Sequence, residues 1–395
     1  MTGVNAEPGR GRESVRRENL ATVLRLVHRS GTAGRSRSDL TAATGLNRST
    51  IAALVAELSA VDLVAESEPA TRTGVGRPSP IVTASVRTLA LAVNPELDAI
   101  TLAVVALGGR VVHRIRHEVD HIVSPAEAVS VITAELAGLR GSVLAGARLA
   151  GIGIAVPGLV RWAPHLGWDD APLTDLVERA TGVPTRAAND ASLGALAEHV
   201  FGVGRGIDDL VYLNGGASGI GGGVIAGGRP LAGAVGYAGE FGHNRPGVAD
   251  PADRVTRDGA LEDEVSRARL LTVAGLTAAD EATLAAALLD SGDPAVRTEL
   301  ARQRRILATA ISNAVNVLDP TLVVLGGFLA TILASDPDQL RRLVAAQAIP
   351  AVFAGTRLEA AALGPDILMV GAGELAFAGV LADPAGYERG AAAAG

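Results

Sequence analysis

The chain has 395 residues, 48% of them hydrophobic and 19% charged, with 48 glycines and a formal net charge of −7. This is too long for one ordinary domain, and the composition excludes overall disorder in favour of α/β cores built from Ala, Val, Leu and Ile. The absence of cysteine excludes disulfides, thiolate metal sites and cysteine nucleophiles, and fits a reducing compartment. The N-terminal MTGVNAEPGRGRESVRREN has no apolar segment, and no run of about 18 apolar residues occurs, so a cytoplasmic chain with no membrane partner is expected.

Charge is unevenly distributed. Up to Ser85 there are 11 Arg against 8 acidic residues, and beyond it 24 Arg against 34. A mildly basic module on an acidic body is the expected pattern where one part meets a polyanion.

Residues 1–14 are rich in Gly, Arg and Glu without pattern and are expected to form a flexible tail. In RRENLATVLRLVHRSG, Leu20, Val23, Leu24 and Val27 recur at i, i+3, i+4 and i+7, one face of a helix that Gly31 ends. Ser36 and Asp39 form a capping box opening a second, short helix through DLTAAT. Gly45 suits the tight turn after it, and Asn47 caps a third helix from Arg48 to Leu58. Segment SRSDLTAATGLNRSTIAALVAEL thus resembles a helix-turn-helix, with Leu40, Leu46, Ile51, Leu54 and Leu58 as core positions. Ser38, Asn47, Arg48, Ser49 and Thr50 are its candidate groove-facing residues. Leu63 to Glu66 reads as a strand, and Gly74-Val75-Gly76-Arg77-Pro78 resembles a wing, from which Arg72 and Arg77 can reach phosphates or the minor groove. The module is expected over 15–83; a small helical docking module is the plainer alternative.

From Leu89 the pattern changes to apolar strands alternating with Ala-rich helices, as in a duplicated α/β architecture with mixed sheets. LALAV and ITLAVVAL are expected to pair, HRIRHEVD to add a third strand after the Gly108-Gly109 turn, and Ser124 to Leu139 to be helical. GIGIAVPG, the two arms of DLVYLNGGASGIGGGVIAGG, and DPTLVVLGG supply later strands. Ligands in such folds sit beyond the carboxyl ends of the strands, so the loops there are the place to look.

The helix-turn-helix with its GRP element, the VPGLV loop, Ala188-Asn189-Asp190-Ala191, the stretch from Asn214 to Gly223, Gly239-Glu240-Phe241-Gly242-His243, GALE at 259–262 and NVLDPTLVVLGG together resemble the ROK family of repressors and sugar kinases. The resemblance covers nearly the whole chain. It implies two actin-like lobes over 84–388, a sugar or sugar-phosphate effector in the cleft, and a homodimer or homotetramer, with 389–395 a frayed tail. A polyhydroxylated ligand needs carboxylates and amides that accept and donate in pairs; Asn189, Asp190, Glu240, His243 and Glu262, with Pro157 and Gly158 beside them, are the candidate effector-binding residues. In a kinase of the family Asp190 matches the general base. Its position also suits an N-cap of ASLGALAEHV, and His243 suits a structural hydrogen bond equally well.

Two departures from the family pattern follow. The first phosphate-binding glycine turn reads Val93-Asn94-Pro95-Glu96-Leu97-Asp98, with Asn94 replacing an acid, Glu96 a glycine, and Pro95 removing an amide donor. Kinase activity is therefore expected to be lost, leaving Asp190 vestigial and the protein no enzyme. The family's structural zinc uses one His and three Cys; here His243 remains, but the thiolate positions fall near Asp253, Val255 and Ala260, so neither zinc nor another cofactor is expected. The resulting expectation is a regulator, most simply a repressor of sugar metabolism or transport genes, binding double-stranded operator DNA. An active ATP-dependent sugar kinase and a ligand-independent DNA-binding protein are the alternatives.

Overall fold

The computed structural model describes residues 8–68, 79–96, 99–158, 166–168, 171–234, 236–248 and 250–387. Two compact units are built from interleaved segments: the first from Met1–Ile154, Pro172–Ala187 and Ala372–Gly395, the second from Ala155–Ala171 and Ala188–Gly371.

The first unit opens with helix α1 (Pro8–His28), which starts well inside the segment expected to be a flexible tail. Leu20, Val23, Leu24 and Val27 are buried on its expected face. Strand β1 (Arg35–Ser36) leads into α2 (Arg37–Thr44), with both halves of the Ser36/Asp39 capping box formed. Gly45 follows in the left-handed region at φ 70°, and α3 (Arg48–Ala60) starts on Asn47, whose side-chain oxygen accepts the Thr50 N–H at 2.8 Å. Leu40, Ile51, Leu54 and Leu58 are buried as expected, joined by Val55. Leu46 is only half-buried, because it lies in the turn between α2 and α3 and not on a packed helix face. Strands β2 (Val64–Ser67) and β3 (Ile81–Ala84) pair antiparallel and, with β1, form a sheet in the order β1-β3-β2. Three helices and this sheet are a winged helix-turn-helix. The wing itself, with Arg72 and Arg77, lies outside the described residues, as does the 389–395 tail.

The same unit continues with β4 (Thr88–Pro95), β5 (Ala99–Ala106), β6 (Val111–Glu118), α4 (Pro125–Arg140), β7 (Arg148–Val156), α5 (Leu173–Thr181) and β8 (Thr185–Asn189), the last residues of β7 and β8 passing into the second unit. The sheet order is β6-β5-β4-β7-β8, antiparallel between β4, β5 and β6 and parallel between β4 and β7. Every residue of β4 and β5 is buried, including the polar Thr88, Asn94 and Thr101, which is why both read as predominantly apolar runs and not as an alternation.

In the second unit α6 (Asp190–Phe201) precedes β9 (Leu210–Gly215), β10 (Ile220–Ala226) and β11 (Arg229–Pro230). Then come α7 (Leu261–Glu264), α8 (Arg267–Val273), α9 (Glu281–Leu289), the long α10 (Pro294–Leu318), β12 (Leu322–Gly327), α11 (Phe328–Ser335), α12 (Pro337–Ala345), α13 (Pro350–Phe353) and β13 (Arg357–Ala360). Its sheet order is β11-β10-β9-β12-β13, with β9 antiparallel to β10 and parallel to β12. That is the first unit's strand pattern again, the duplication expected from sequence. Leu307, Ile311 and Val315 of α10 belong to one core with Val323 and Leu325 of β12. The last helix, α14 (Ile367–Ala382), is divided between the units, Gly371 going with the second and Ala372 with the first. The segment Gly364–Ala382, at mean hydropathy 1.5, is the one among the described residues long and apolar enough to cross a membrane, and half of it is buried within the protein.

Candidate functional site

Within the second unit a cavity of about 260 Å³ opens beside the β9–β10 hairpin and the start of α6. Gly158, Asn189, Asp190, Glu240, His243 and Glu262 all line it, so six of the seven expected effector residues come together. Pro157 is half-buried and is not among the lining residues.

The start of α6 is built by two neighbouring side chains with different tasks. Asn189, not Asp190, is the N-cap: its oxygen accepts the Ser192 N–H at 2.9 Å, while its amide donates to the Gly158 carbonyl at 2.9 Å. Asp190 is the first helical residue, and its Oδ1 accepts the Ala191 N–H at 2.7 Å. Removal from water raises the Asp190 carboxyl to about 6, the Ala191 amide opposing this and the negative charge of Glu240 adding to it.

Opposite lie the 3-10 turn Phe241–His243 and α7. A side chain at Gly242 would run into the Ile220 carbonyl and the Glu262 carboxylate, so this turn approaches β10 as closely as it does only because the residue is glycine. Glu262 accepts the Ile220 N–H at 3.2 Å, which aims its carboxylate along the hairpin. The His243 imidazole is 71% exposed, with Nδ1 3.8 Å from Glu262 and Nε2 4.0 Å from Glu240. Asn214, Ser218 and Tyr237 also line the cavity and were missed as site residues; Asn214 sits at the end of β9, where its Oδ1 accepts the Tyr212 hydroxyl at 3.0 Å. Tyr237, an aromatic inside the glycine-rich GYAGEFGH, was the available signal for a cavity-lining ring.

The second glycine stretch has a packing role as well as a turn role. Gly216 and Gly219 close the hairpin through an N–H to carbonyl bond of 2.9 Å. Cβ atoms at Gly221 and Gly223 would each lie 2.7 Å from an alanine Cβ of α6, Ala191 and Ala195 respectively, while Gly222 faces Phe241 on the other side. The alternation of β10 thus presents glycine to a helix on one face and to the site loop on the other.

In the first unit, Glu96 follows directly on β4. Its carboxylate accepts from Asn94 at 3.1 Å, from the Thr101 hydroxyl at 3.2 Å and from Arg116 at 2.6 Å.

In the winged helix-turn-helix Ser38, Asn47, Arg48 and Ser49 are exposed and Thr50 is half-buried. Asn47 uses its oxygen for the cap and for the Ser49 hydroxyl at 2.7 Å, and the Ser38 N–H donates to Ser79 at 3.2 Å. Arg48 is left as the long cationic side chain at the entry of α3.

The sequence signature of the ROK family matches residues 83–378. The chain belongs to the ROK family. A glucokinase of Halalkalibacterium halodurans is 30% identical over 252 residues, 58% of this chain and 76% of that protein. A xylose repressor of Caldicellulosiruptor bescii is 26% identical over 258 residues, 60% of this chain and 64% of the repressor, so just under two thirds of that relative is spanned. A solved ROK family transcriptional regulator, a homologue of the E. coli Mlc protein, superposes with a TM-score of 0.72 at 24% identity, covering 93% of this chain and 97% of that one. The fold is thereby fixed as α/β, a winged helix-turn-helix followed by the actin-like architecture of ROK repressors and sugar kinases.

Proposed function

We propose that this ROK protein is a DNA-binding transcriptional regulator whose operator affinity is set by a neutral sugar bound in the second unit. The observation that carries the reading is the winged helix-turn-helix, with Arg48 exposed at the N-terminal end of α3, where a recognition helix meets base edges. The xylose repressor among its relatives supports it. A neutral sugar is favoured over a phosphorylated one because Asp190, Glu240 and Glu262 face the cavity and no arginine lines it among the described residues. Hydroxyls donate to carboxylates, whereas a phosphate would be repelled by them.

A route for the response is offered by α14. In the second unit its Gly371 packs so tightly on the Leu193 carbonyl of α6 that a side chain there would collide. In the first unit its Glu374 accepts from His28 Nε2 at 2.7 Å, and His28 Nδ1 accepts the Gly108 N–H at 2.9 Å. Because an amide can only donate, this fixes the Nε2–H tautomer and joins α1, the β5–β6 turn and α14 in one buried group. Arg17 of α1 pairs with Asp383 just beyond α14. We take α14, which has residues in both units, as the element through which a movement of α6 on sugar binding would reach the winged helix-turn-helix. In a dimer, such a movement would change the spacing of two α3 helices over a pseudo-palindromic operator.

The kinase reading has one specific support beyond the glucokinase relative, the Asp190 carboxyl raised to about 6, a value suited to a general base. Against it stands Glu96, held in the turn by Asn94, Thr101 and Arg116. The deciding experiment is a mobility-shift titration on the DNA upstream of the gene, at fixed salt, with and without D-xylose, D-glucose and their phosphates, beside an ATP-dependent phosphorylation assay on the same sugars. Specific binding altered by a neutral sugar supports the proposal, specific binding unaffected by every sugar supports a ligand-independent regulator, and phosphate transfer without specific DNA binding supports the kinase. In the same assay Arg48→Ala is expected to weaken operator binding by about 1–3 kcal/mol, and an unchanged affinity would exclude α3 as the reader.

A further inference from the structure

The loop from Asn244 to Ala260 joins the turn carrying His243 to α7, which carries Glu262, and the only regular piece among its described residues is the 3-10 turn Pro251–Asp253. The family resemblance implies a zinc ion here, but the residues present do not fit one. Both oxygens of Asp253 are taken by Arg305, at 2.7 Å and 2.6 Å. Val255 has an aliphatic side chain, Ala260 serves only as the backbone cap of α7, and His243 is an exposed imidazole beside two glutamates. A closed tetrahedral site of soft ligands cannot be assembled from this set.

What the structure holds instead is a cluster of three arginines and three carboxylates, largely from α10. Arg302 is 6% exposed. All five of its N–H groups are used: Nε and one Nη2 proton on Glu299, the other Nη2 proton on the Glu264 carbonyl, and the Nη1 pair on the Asp253 carbonyl and the Glu264 carboxylate. The Glu264 carboxylate in turn gathers the N–H groups of Val255 and Thr256, at 3.0 Å each, and the Thr256 hydroxyl at 2.9 Å. Arg269 and Gln303 complete Glu299.

We propose that this cluster is the brace of the 244–262 segment, performing the cross-linking that a bound metal would perform, and that Arg302, Arg305 and Glu264 are positioning residues for Glu240, His243 and Glu262. The geometry is suited to it: a planar guanidinium with five fixed donors ties α10 to residues far away in sequence, as an ion ties its ligands. The cluster is charge-matched and hydrogen-bonded throughout, the condition under which buried ions are tolerated, so loss of one member leaves its partner stranded. The brace stands on geometry alone; its consequence for ligand binding rests on the sugar-binding reading above.

The test uses the full-length protein, wild type against Arg305→Gln and Arg305→Lys, substitutions at the exposed rim of the cluster that avoid the buried Arg302. Three quantities are measured: zinc content, hydrogen exchange of residues 244–262 with and without EDTA, and calorimetric affinity for D-xylose and D-glucose. The wild type is expected to carry no stoichiometric zinc and to show exchange unaffected by EDTA. Arg305→Gln is expected to raise exchange in 244–262, and to weaken sugar binding, by about tenfold or more, the scale on which removal of a supporting contact acts on a ligand set, while β4 to β6 stay protected. Arg305→Lys, which keeps charge but loses the fork, is expected to lie between. Stoichiometric zinc whose removal loosens the loop, or unchanged loop exchange in Arg305→Gln, would overturn the brace. A loosened loop in a protein whose wild type binds neither sugar would sustain the brace and remove the sugar reading.

Discussion

At the scale of single residues, Asp190 is a cavity-lining carboxyl whose burial sets it apart from a free one. A carboxyl raised from 3.8 to about 6 holds its proton more tightly in the folded protein than in the unfolded one. Its contribution to stability is therefore complete below about 3.8 and is lost as pH rises through about 6. Ligand binding runs the other way: a sugar hydroxyl donates to the ionised form, so affinity for the effector is expected to strengthen as pH rises through about 6 and to level off above it. Calorimetric titrations between roughly pH 5 and 8 check this. Asp190→Asn should flatten the profile, and Glu240→Gln, by removing the neighbouring negative charge, should move its midpoint downward. That Asp190 would lie near Asn189, Glu240 and Glu262 was legible from sequence; that Asn189 takes the cap while Asp190 lines the cavity was not, because both residue types cap helices and only the backbone path decides which one does.

At the scale of elements, β10 and α10 show how the site is held. Gly221→Ala or Gly223→Ala would insert a methyl group between β10 and α6, and the expected cost is that of overpacking, about 1–3 kcal/mol, measurable by urea denaturation. A glycine stretch that served only as a hairpin turn would tolerate both changes. For α10, Glu299 lies at about 2 against an ordinary 4.5: burial alone would raise it, but hydrogen bonds from Arg302, Arg269 and Gln303 and the Arg302 charge prevail. Glu264 is likewise lowered, burial being outweighed by the Val255 and Thr256 amides, the Thr256 hydroxyl and Arg302, and Asp253 is lowered chiefly by Arg305. These carboxylates stabilise the fold when ionised, so stability is expected to be intact above about 4.5 and to fall as pH drops towards about 2, with Arg302→Met abolishing most of that slope. None of this was readable beforehand: Arg302 and Glu264 stand 38 positions apart, and only the Glu299–Arg302 spacing of three leaves a local trace.

For the whole molecule, the informative feature is that the winged helix-turn-helix and the β4–β8 sheet fall within one compact unit. The joint is polar as well as apolar. His28 and Glu374 are buried together, with the Phe377 ring edge-on to the imidazole at 6.0 Å. His28→Ala strands a buried carboxylate and the Gly108 amide, and an expected loss of about 1–3 kcal/mol is checked by denaturant unfolding. If the module were merely tethered, the substitution would leave the unfolding of the β4–β8 sheet unchanged.

The sequence by itself determined the elements: α1 to α3 through helical periodicity and the Ser36 and Asn47 caps, the buried strands through predominantly apolar runs, and the gathering of most of the cavity-lining polar residues through their placement at strand and helix ends. These signals are local, carried within a few residues of the backbone they shape. Only the tertiary structure decided which arginine meets which carboxylate, why β10 is made of glycines, and which helix joins the sheet to the winged helix-turn-helix. Those outcomes depend on close approach between segments far apart in the chain, where burial makes each hydrogen bond obligatory and each added methyl group a collision.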